Sequence, residues 1–247
     1  MGHQGVNNPR PAFYVLRGGG WRDYWNLLHP PYTVWHLSYV LIGAAVADDL
    51  SVAWLFESLL AFALAMGVAA HALDELQGRP LGTRIPRASL WLLAVLGLAG
   101  AAALGVHGLI AVSPGFAVFI VVGVFLVVAY NLELFGGRFH NDLWFALAWG
   151  AFPALTGYFA QTGQVSIAAV AVAAGCATIS YAQRALSTPV REVRRRVASV
   201  EGEVRLRDGT LRDLGAAELT RGPEAALRAL SLALPLLAVG LVLARVV

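Results

Sequence analysis

The sequence predicts an all-α integral membrane protein, a bundle of about seven transmembrane helices. Of its 247 residues, 58% are hydrophobic and 13% are charged, whereas a soluble domain carries about 25% charged residues. Several apolar segments reach the ~20 residues that cross a bilayer core, and polar turns separate them. These observations exclude a soluble class and indicate a single membrane domain.

The chain divides into four regions. Residues 1–31 are predicted to be a cytoplasmic N-terminal segment with an interfacial aromatic helix, and 32–186 a six-span membrane bundle. A cytoplasmic segment with a basic helix and a small hairpin follows over 187–224, and 225–247 is the seventh transmembrane helix. From apolar length and flanking turn residues, the spans are expected at 32–47, 52–73, 88–106, 114–130, 143–161, 167–185 and 225–247.

The segments outside the spans carry amphipathic patterns. Trp21, Trp25 and Leu28 recur at helical spacing beside charged residues, which is typical of a short helix in the membrane interface. Four arginines within 189–200 predict a basic helix lying over anionic lipid. Alternating polar and apolar residues around Asp208–Gly209 then predict a hairpin that packs on the cytoplasmic face.

Charge distribution predicts the orientation. With seven spans, every arginine except Arg245 falls on the side that holds the N-terminus. The positive-inside rule makes that side cytoplasmic. We therefore expect a multi-pass protein of the inner (plasma) membrane, with the N-terminus in the cytoplasm and the C-terminus outside.

Residue counts exclude several chemistries. The single cysteine, Cys176, rules out an intrachain disulfide and a cysteine-based metal site. All 18 basic residues are arginine, so lysine-based Schiff-base and P-loop chemistry are absent. The arginines lie beside apolar segments, which indicates contact with the lipid bilayer and not with nucleic acid.

One polar stretch interrupts the apolar runs at residues 71–86. On a helix, His71, Asp74 and Glu75 share one face. Asp74 and Glu75 are candidate ligands for Mg²⁺, which prefers carboxylate oxygens. Arg79 and Arg84 are candidates to bind a diphosphate, since guanidinium groups match phosphate oxygens. Ion pairing within a loop is the alternative.

Two further helix ends on the same side are polar. Asn131 and Glu133 close the fourth span, and Gln183 and Arg184 close the sixth. His36, near the cytoplasmic end of the first span, is an intramembrane ionisable residue and so a candidate site residue. We expect these groups to line one cavity with the 71–86 stretch; polar helix ends that simply meet water are the alternative.

These residues resemble a family. An aspartate-bearing helix end followed by Gly-Arg-Pro-Leu-Gly-Thr-Arg-Ile at 78–85 resembles the first signature of the UbiA-type intramembrane prenyltransferases. His-Pro-Pro-Tyr-Thr-Val-Trp at 29–35 is similar to the start of the family's first span. Trp-Gly-Ala-Phe-Pro at 149–153 and the residues at 157–163 resemble its fifth span. The resemblance covers roughly residues 28–196.

The resemblance implies a helical bundle whose central cavity opens to the cytoplasm. In such a cavity Mg²⁺ and acidic motifs bind a prenyl diphosphate, and the prenyl group passes to a lipid or aromatic acceptor. The roles carried over are Mg²⁺ binding and catalysis by Asp74 and Glu75, acceptor orientation by Asn131 and Glu133, and substrate binding by His71, Arg79, Arg84, Gln183, Arg184 and His36.

The chain also departs from the family pattern. Residues 181–189 stand where a second acidic motif is expected and contain no carboxylate, and seven spans replace the usual nine. The alternative function is therefore a catalytically lapsed UbiA-like protein, acting as a lipid-binding or structural subunit of a membrane complex. Its basic helix and hairpin would dock a partner membrane protein.

Overall fold

The computed structural model describes residues 12–17 and 19–246 and is 75% helical. The described chain is mostly helical, as an all-α fold requires. Its principal helices are α1 (Trp21–Leu27), α2 (Pro30–Ala45), α3 (Val52–Leu76), α4 (Arg87–Ala111), α5 (Phe116–Asn131), α6 (Asp142–Thr162), α7 (Ile167–Arg196) and α8 (Ala216–Val246), with a single helical turn at Leu134–Gly137.

Four of these helices, α3, α4, α6 and α8, are long and apolar enough to cross a membrane. Helix α5 is apolar but shorter. Each predicted span overlaps one of the helices from α2 to α8. The all-α membrane class is therefore supported, and the count of seven spans stays a prediction.

Local sequence explains where the helices begin and end. The side chains of Ser51, Asn141 and Ser166 accept hydrogen bonds from backbone N–H groups three residues ahead, which caps α3, α6 and α7. Helix α2 begins at Pro30, where a missing N–H costs nothing. Helix α6 ends at Gly163, whose φ of 65° suits glycine.

Helices α3 and α6 each contain a π-helical segment, at Ala63–Ala70 and Leu147–Ala151. In α6 this segment lies just before Pro153, which has no N–H to donate to the carbonyl of Trp149. π-Helical segments are rare and often occur at functional sites. The free carbonyl of Trp149 is used in the candidate site below.

Close packing joins α2 to α6. A Cβ added to Gly43 would overlap the carbonyl of Ala154, and one added to Gly157 would overlap that of Val40. The backbones of the two helices can meet only because both positions are glycine. On the outside, large apolar side chains of α3, α4, α5 and α8 are exposed, as a lipid environment requires.

Helix α7 differs from the prediction because it continues through Pro189 to Arg196. No separate surface helix begins after residue 187, so the predicted boundary at that position falls inside α7. The hydroxyls of Ser187 and Thr188 donate to the carbonyl of Arg184, one turn before the proline. The carbonyl that the proline leaves without its helical N–H donor is the next one, of Ala185.

The predicted hairpin is present. Strand β1 (Glu203–Arg205) pairs antiparallel with β2 (Leu211–Asp213), and the turn contains Gly209 at a φ of 86°. Every residue of both strands is exposed. The expectation that the hairpin packs on the bundle is therefore wrong. The predicted helix at the start of the chain is also present as α1, with Trp21 and Trp25 exposed.

Candidate functional site

The adjacent acids at the end of α3 have separate roles. Glu75 is 1% exposed, and its carboxylate accepts hydrogen bonds from the N–H of Leu81 (3.0 Å) and from the N–H (2.9 Å) and hydroxyl (2.8 Å) of Thr83. Glu75 thus supports the loop that follows α3. Glu75 was predicted beside Asp74 as a catalytic acid and Mg²⁺ ligand; in the structure both of its oxygens accept hydrogen bonds from the loop, and the predicted role stays a prediction.

The two arginines of that loop are also used differently from the prediction. Arg79 donates from Nη1 to the carbonyl of Thr83 (2.8 Å) and from Nη2 to that of Ile85 (2.9 Å). Arg84 is exposed, and its backbone N–H donates to the buried carboxylate of Asp23 (2.9 Å). Diphosphate binding by Arg79 would require its side chain to leave these carbonyls, whereas the side chain of Arg84 is exposed and only its backbone is held.

An aromatic group lies above the C-terminal end of α3. The hydroxyl of Tyr14 donates to Nδ1 of His29 (2.5 Å), and the His29 ring stacks on that of His71 at 4.4 Å. Burial, followed by the charges of His71 and nearby arginines, lowers the pKa of His29 well below its usual value. Burial raises the pKa of Tyr14. The pair is thus a neutral imidazole accepting from a neutral phenol.

Arginines from α7 approach this group from the other side. Asp74 interacts electrostatically with His140, Arg191 and Arg195. Arg191 and Arg195 also interact with His29. The continuation of α7 beyond residue 187 is what brings both arginines within electrostatic range of Asp74; Arg191 is partly buried there and Arg195 is exposed.

Arg184 connects α7 to α5 and α6. Its Nε donates to Asp142 (3.0 Å), its Nη1 donates to the hydroxyl of Tyr130 (3.0 Å), and its guanidinium lies over the ring of Phe145 at 5.2 Å. The ring of Tyr130 stacks on His140 at 4.5 Å. Arg184 is therefore fixed in position by groups from two helices.

These contacts and electrostatic interactions join into one group at the end of the bundle where α3, α5 and α7 finish and α2 and α6 begin. We call it the polar cluster, and it comprises Tyr14, His29, His71, Asp74, Tyr130, His140, Arg184, Arg191 and Arg195. Its three arginines outnumber the carboxylates of Asp74 and Asp142 that interact with them, which leaves net positive charge that suits an anion.

His36 lies one layer deeper. Its Nδ1 donates to the carbonyl of Trp149 (2.8 Å), the one that Pro153 leaves free. The ring of Trp149 meets Tyr130 edge-on at 5.6 Å. His36 also interacts electrostatically with His71. It thus belongs to the lower boundary of the polar cluster, where side chains become apolar.

The remaining predicted residues lie at the edge of this group. Asn131 is buried and donates to the carbonyl of Val127 in its own helix (2.7 Å). Glu133 is exposed, with its carboxylate 3.9 Å from Nδ1 of His140. Gln183 is buried, and its Oε1 has no partner within residues 12–17 and 19–246. Gln183 therefore retains an unused acceptor.

An apolar pocket lies below the polar cluster. It lies between α3, α4, α5 and α6 and has an open mouth. Met66, Val127 and Trp149 line its end nearest the cluster, and Glu57 lines the far end. We call it the apolar pocket.

The side chains of the polar cluster do not match the predicted Mg²⁺ site. Among the described residues, no three histidine, cysteine, aspartate or glutamate side chains are grouped so as to hold a metal ion. With Glu75 hydrogen-bonded to its loop, Asp74 is the one carboxylate within the cluster. Mg²⁺ there would depend on phosphate oxygens of a ligand for its remaining contacts.

Comparison with protein-family models, curated proteins and solved structures returned no match. The resemblance to the UbiA-type prenyltransferases therefore stays a prediction based on the motifs at residues 29–35, 78–85 and 149–163.

Several cluster residues were not predicted as site residues: Tyr14, His29, Tyr130, His140, Arg191 and Arg195. The signal for Arg191 was its spacing from Arg184 and Gln183, which continues one helical face across Pro189. His140 stands just ahead of the Asn141 cap that starts α6. No pattern near Tyr14 indicates that the N-terminal segment folds back over α2.

Proposed function

We propose that the protein binds the diphosphate of a prenyl lipid in the polar cluster and transfers the prenyl group to a hydrophobic acceptor. The observation that carries this proposal is the convergence of Arg184, Arg191 and Arg195 on the region of Asp74. Guanidinium groups bind phosphate oxygens through paired, charge-assisted hydrogen bonds. An apolar pocket directly below provides room for a hydrocarbon chain.

The proposed reaction follows from this charge pattern. The carbon–oxygen bond of the prenyl diphosphate breaks, and its electron pair leaves with the diphosphate, which the arginines stabilise. The allylic cation that remains lies beside the faces of Tyr130 and Trp149, and aromatic faces attract cations. A nucleophilic atom of the acceptor forms the new bond to carbon, and the proton it loses passes to the diphosphate that has left.

The binding step is tested by Arg191→Ala, with Arg196→Ala as the matched control at the exposed end of the same helix. Losing one charge-assisted contact costs about 1.5–3 kcal/mol, so we expect the Kd for farnesyl diphosphate to rise roughly 10- to 100-fold. Calorimetry on detergent-solubilised protein measures both variants. Equal affinities of Arg191→Ala and the control would exclude the proposed site.

The role of Mg²⁺ has a separate test. If Asp74 holds a Mg²⁺ ion, the affinity for a prenyl diphosphate should increase when Mg²⁺ is added. Asp74→Asn should remove that increase in affinity. If Mg²⁺ still increases the affinity of the variant, the ion is held by the diphosphate alone, and the prediction that Asp74 binds Mg²⁺ is wrong.

A second function is favoured by the position of Glu75 and the absence of carboxylates at 181–189. A protein that lacks the second acidic motif and keeps only Asp74 in the cluster from the first fits a lipid-binding or structural subunit, with the exposed hairpin as its docking surface. Deleting 202–214 would then abolish co-purification of a stoichiometric membrane partner and leave lipid binding unchanged. Turnover of a prenyl diphosphate by the protein alone would exclude this function.

A further inference from the structure

The hairpin presents a strand edge that nothing in the described part of the chain covers. Strands β1 and β2 form a sheet of two strands, and every residue of both is exposed. A two-stranded hairpin is marginally stable in water, whereas a sheet of three or more strands is more stable. The N–H and C=O groups of an unpaired edge are a template for another strand. A further strand on this edge would therefore stabilise the hairpin.

The hydrogen bonds of the hairpin show which backbone groups face the free edge of β1. The carbonyl of Gly202 accepts a hydrogen bond from the residue after β2 (2.8 Å), and the N–H of Leu206 donates to the residue before β2 (2.8 Å). Because the direction of these groups alternates along a strand, those of Val204 also point towards β2. The N–H and C=O groups of Glu203 and Arg205 point away from β2 and are free to pair with another strand.

The charges of β1 have opposite signs on the two sides of Val204. The sequence over 201–207 is Glu-Gly-Glu-Val-Arg-Leu-Arg. If two copies of this strand pair antiparallel about Val204, each Glu203 lies opposite Arg205 of the second copy, and the outer acid and arginine match in the same way. The exposed apolar side chain of Val204 then meets its own copy. Opposite charges at facing positions stabilise a sheet, and like charges destabilise it.

The charges of the hairpin are not satisfied within one copy. In the described part of the chain, Glu203 and Arg205 form no ion pair. Across the hairpin, Glu203 lies opposite Asp213, which places like charges at facing positions. Arg205 of a second copy would lie on the other side of Glu203 and offset this repulsion. The equivalent pairing of two β2 strands about Arg212 would bring two arginines together, so the charge pattern favours β1.

We propose that β1 is a self-association surface, through which two copies of the protein pair antiparallel about Val204 and form one four-stranded sheet. A strand that pairs with its own copy is related to it by a two-fold axis, so the assembly closes as a dimer. Charged side chains on an edge discourage pairing with other strands, and here their order matches the same strand in reverse. The inference does not depend on what the polar cluster binds.

Disulfide formation between two copies tests the register. In a Cys176→Ala background, Val204→Cys places two thiols at a facing pair without ladder hydrogen bonds, where the Cα atoms are about 4.5 Å apart, a distance that a disulfide spans. Arg212→Cys is the matched control, because the two β2 strands lie at the outside of the sheet, three strand spacings or about 14 Å apart. Full-length proteins are oxidised in native membranes and separated on a non-reducing gel.

We expect a band at twice the mass of the chain that is about fivefold or more stronger for Val204→Cys than for Arg212→Cys. Bands of equal strength, or no band for either variant, would overturn the proposed register. A disulfide of Val204→Cys to a protein of another mass would mean that a different partner occupies the edge, and the proposal would then be wrong.

Charge reversal tests the pairing without cysteines. Glu203→Arg places arginines at both facing positions and Arg205→Glu places acids there, so each variant alone should raise the Kd of the dimer about tenfold or more. A mixture of the two variants restores opposite charges, and mixed dimers should form with the wild-type Kd. Glu203→Arg also replaces the repulsion with Asp213 by an attraction, so a weaker dimer would not result from a weaker hairpin.

Analytical ultracentrifugation of the detergent-solubilised full chain measures the Kd of the wild type, of each variant and of the mixture. Equal melting temperatures show that the helical bundle of each variant is intact. A wild type that stays monomeric at every concentration measured would overturn the proposal. Dimers that neither single reversal weakens, or a mixture that does not recover, would also overturn it.

Discussion

Glu75 and Asp74 show how one residue of separation changes the role of a carboxylate. Glu75 turns away from the polar cluster and satisfies donors of the loop, whereas Asp74 interacts with the arginines of α7. Side chains at successive positions of a helix point in different directions, so they do not readily act on one ligand. The loop beyond Leu76 instead folds back over Glu75.

Glu75→Gln should lower the free energy of unfolding by about 1–3 kcal/mol, because an amide NH₂ placed against backbone N–H groups leaves buried donors without acceptors. Thermal unfolding in detergent measures the change. Glu133→Gln, an exposed acid near the same end of the bundle, should leave the melting temperature unchanged. A loss of diphosphate binding by Glu75→Gln at normal stability would return Glu75 to the predicted catalytic role.

His29 provides a pH prediction. Its pKa is lowered in the folded chain, whereas in the unfolded chain it is about 6.5. Below that pH the unfolded chain binds a proton that the folded chain does not, so the free energy of unfolding falls as pH decreases from 7 to 5. His29→Asn, which tolerates the left-handed backbone at φ 45°, should weaken this dependence. Identical slopes of stability against pH would contradict it.

At the scale of helices, the contact between α2 and α6 depends on two glycines. Gly157→Ala places a Cβ against the carbonyl of Val40 and forces the helices apart, at a cost of about 1–3 kcal/mol or more. Gly175→Ala is the control, since nothing lies within 4 Å of the added Cβ on α7. Melting temperatures of the two variants in detergent should differ by several degrees. Equal values would show that the helices are not closely packed.

Helix α7 also shows what could be learned from sequence. Apolar length and flanking turn residues predicted where the spans lie, because these signals are local. The sixth span was expected to end near residue 185, with a separate basic helix from Pro189, whereas α7 continues to Arg196. Arg191 was therefore missed as a site residue, and the hydrogen bonds of Glu75 were not predicted, because both depend on contacts beyond neighbouring residues.

For the whole molecule, orientation in the membrane is the main prediction. In a Cys176→Ala background, Asp49→Cys should react with a membrane-impermeant thiol reagent in intact cells, and Arg207→Cys should react only after the cells are opened. Both positions are exposed, so access depends on the side of the membrane. The reverse result would mean that the arginine-rich side faces outward.

The contact between the rings of Trp149 and Tyr130 affects whether protons can leak across the membrane through the bundle. Protonatable side chains lie on one side of this pair, in the polar cluster, and the Glu57–His107 pair lies on the other, beyond the apolar pocket. A continuous file of water between the two groups would conduct protons and dissipate the electrochemical gradient. The rings of Trp149 and Tyr130 are buried and belong to one packed apolar core, so they separate the two groups, and a bundle with ionisable side chains near both ends can stay in a membrane without leaking protons through that core.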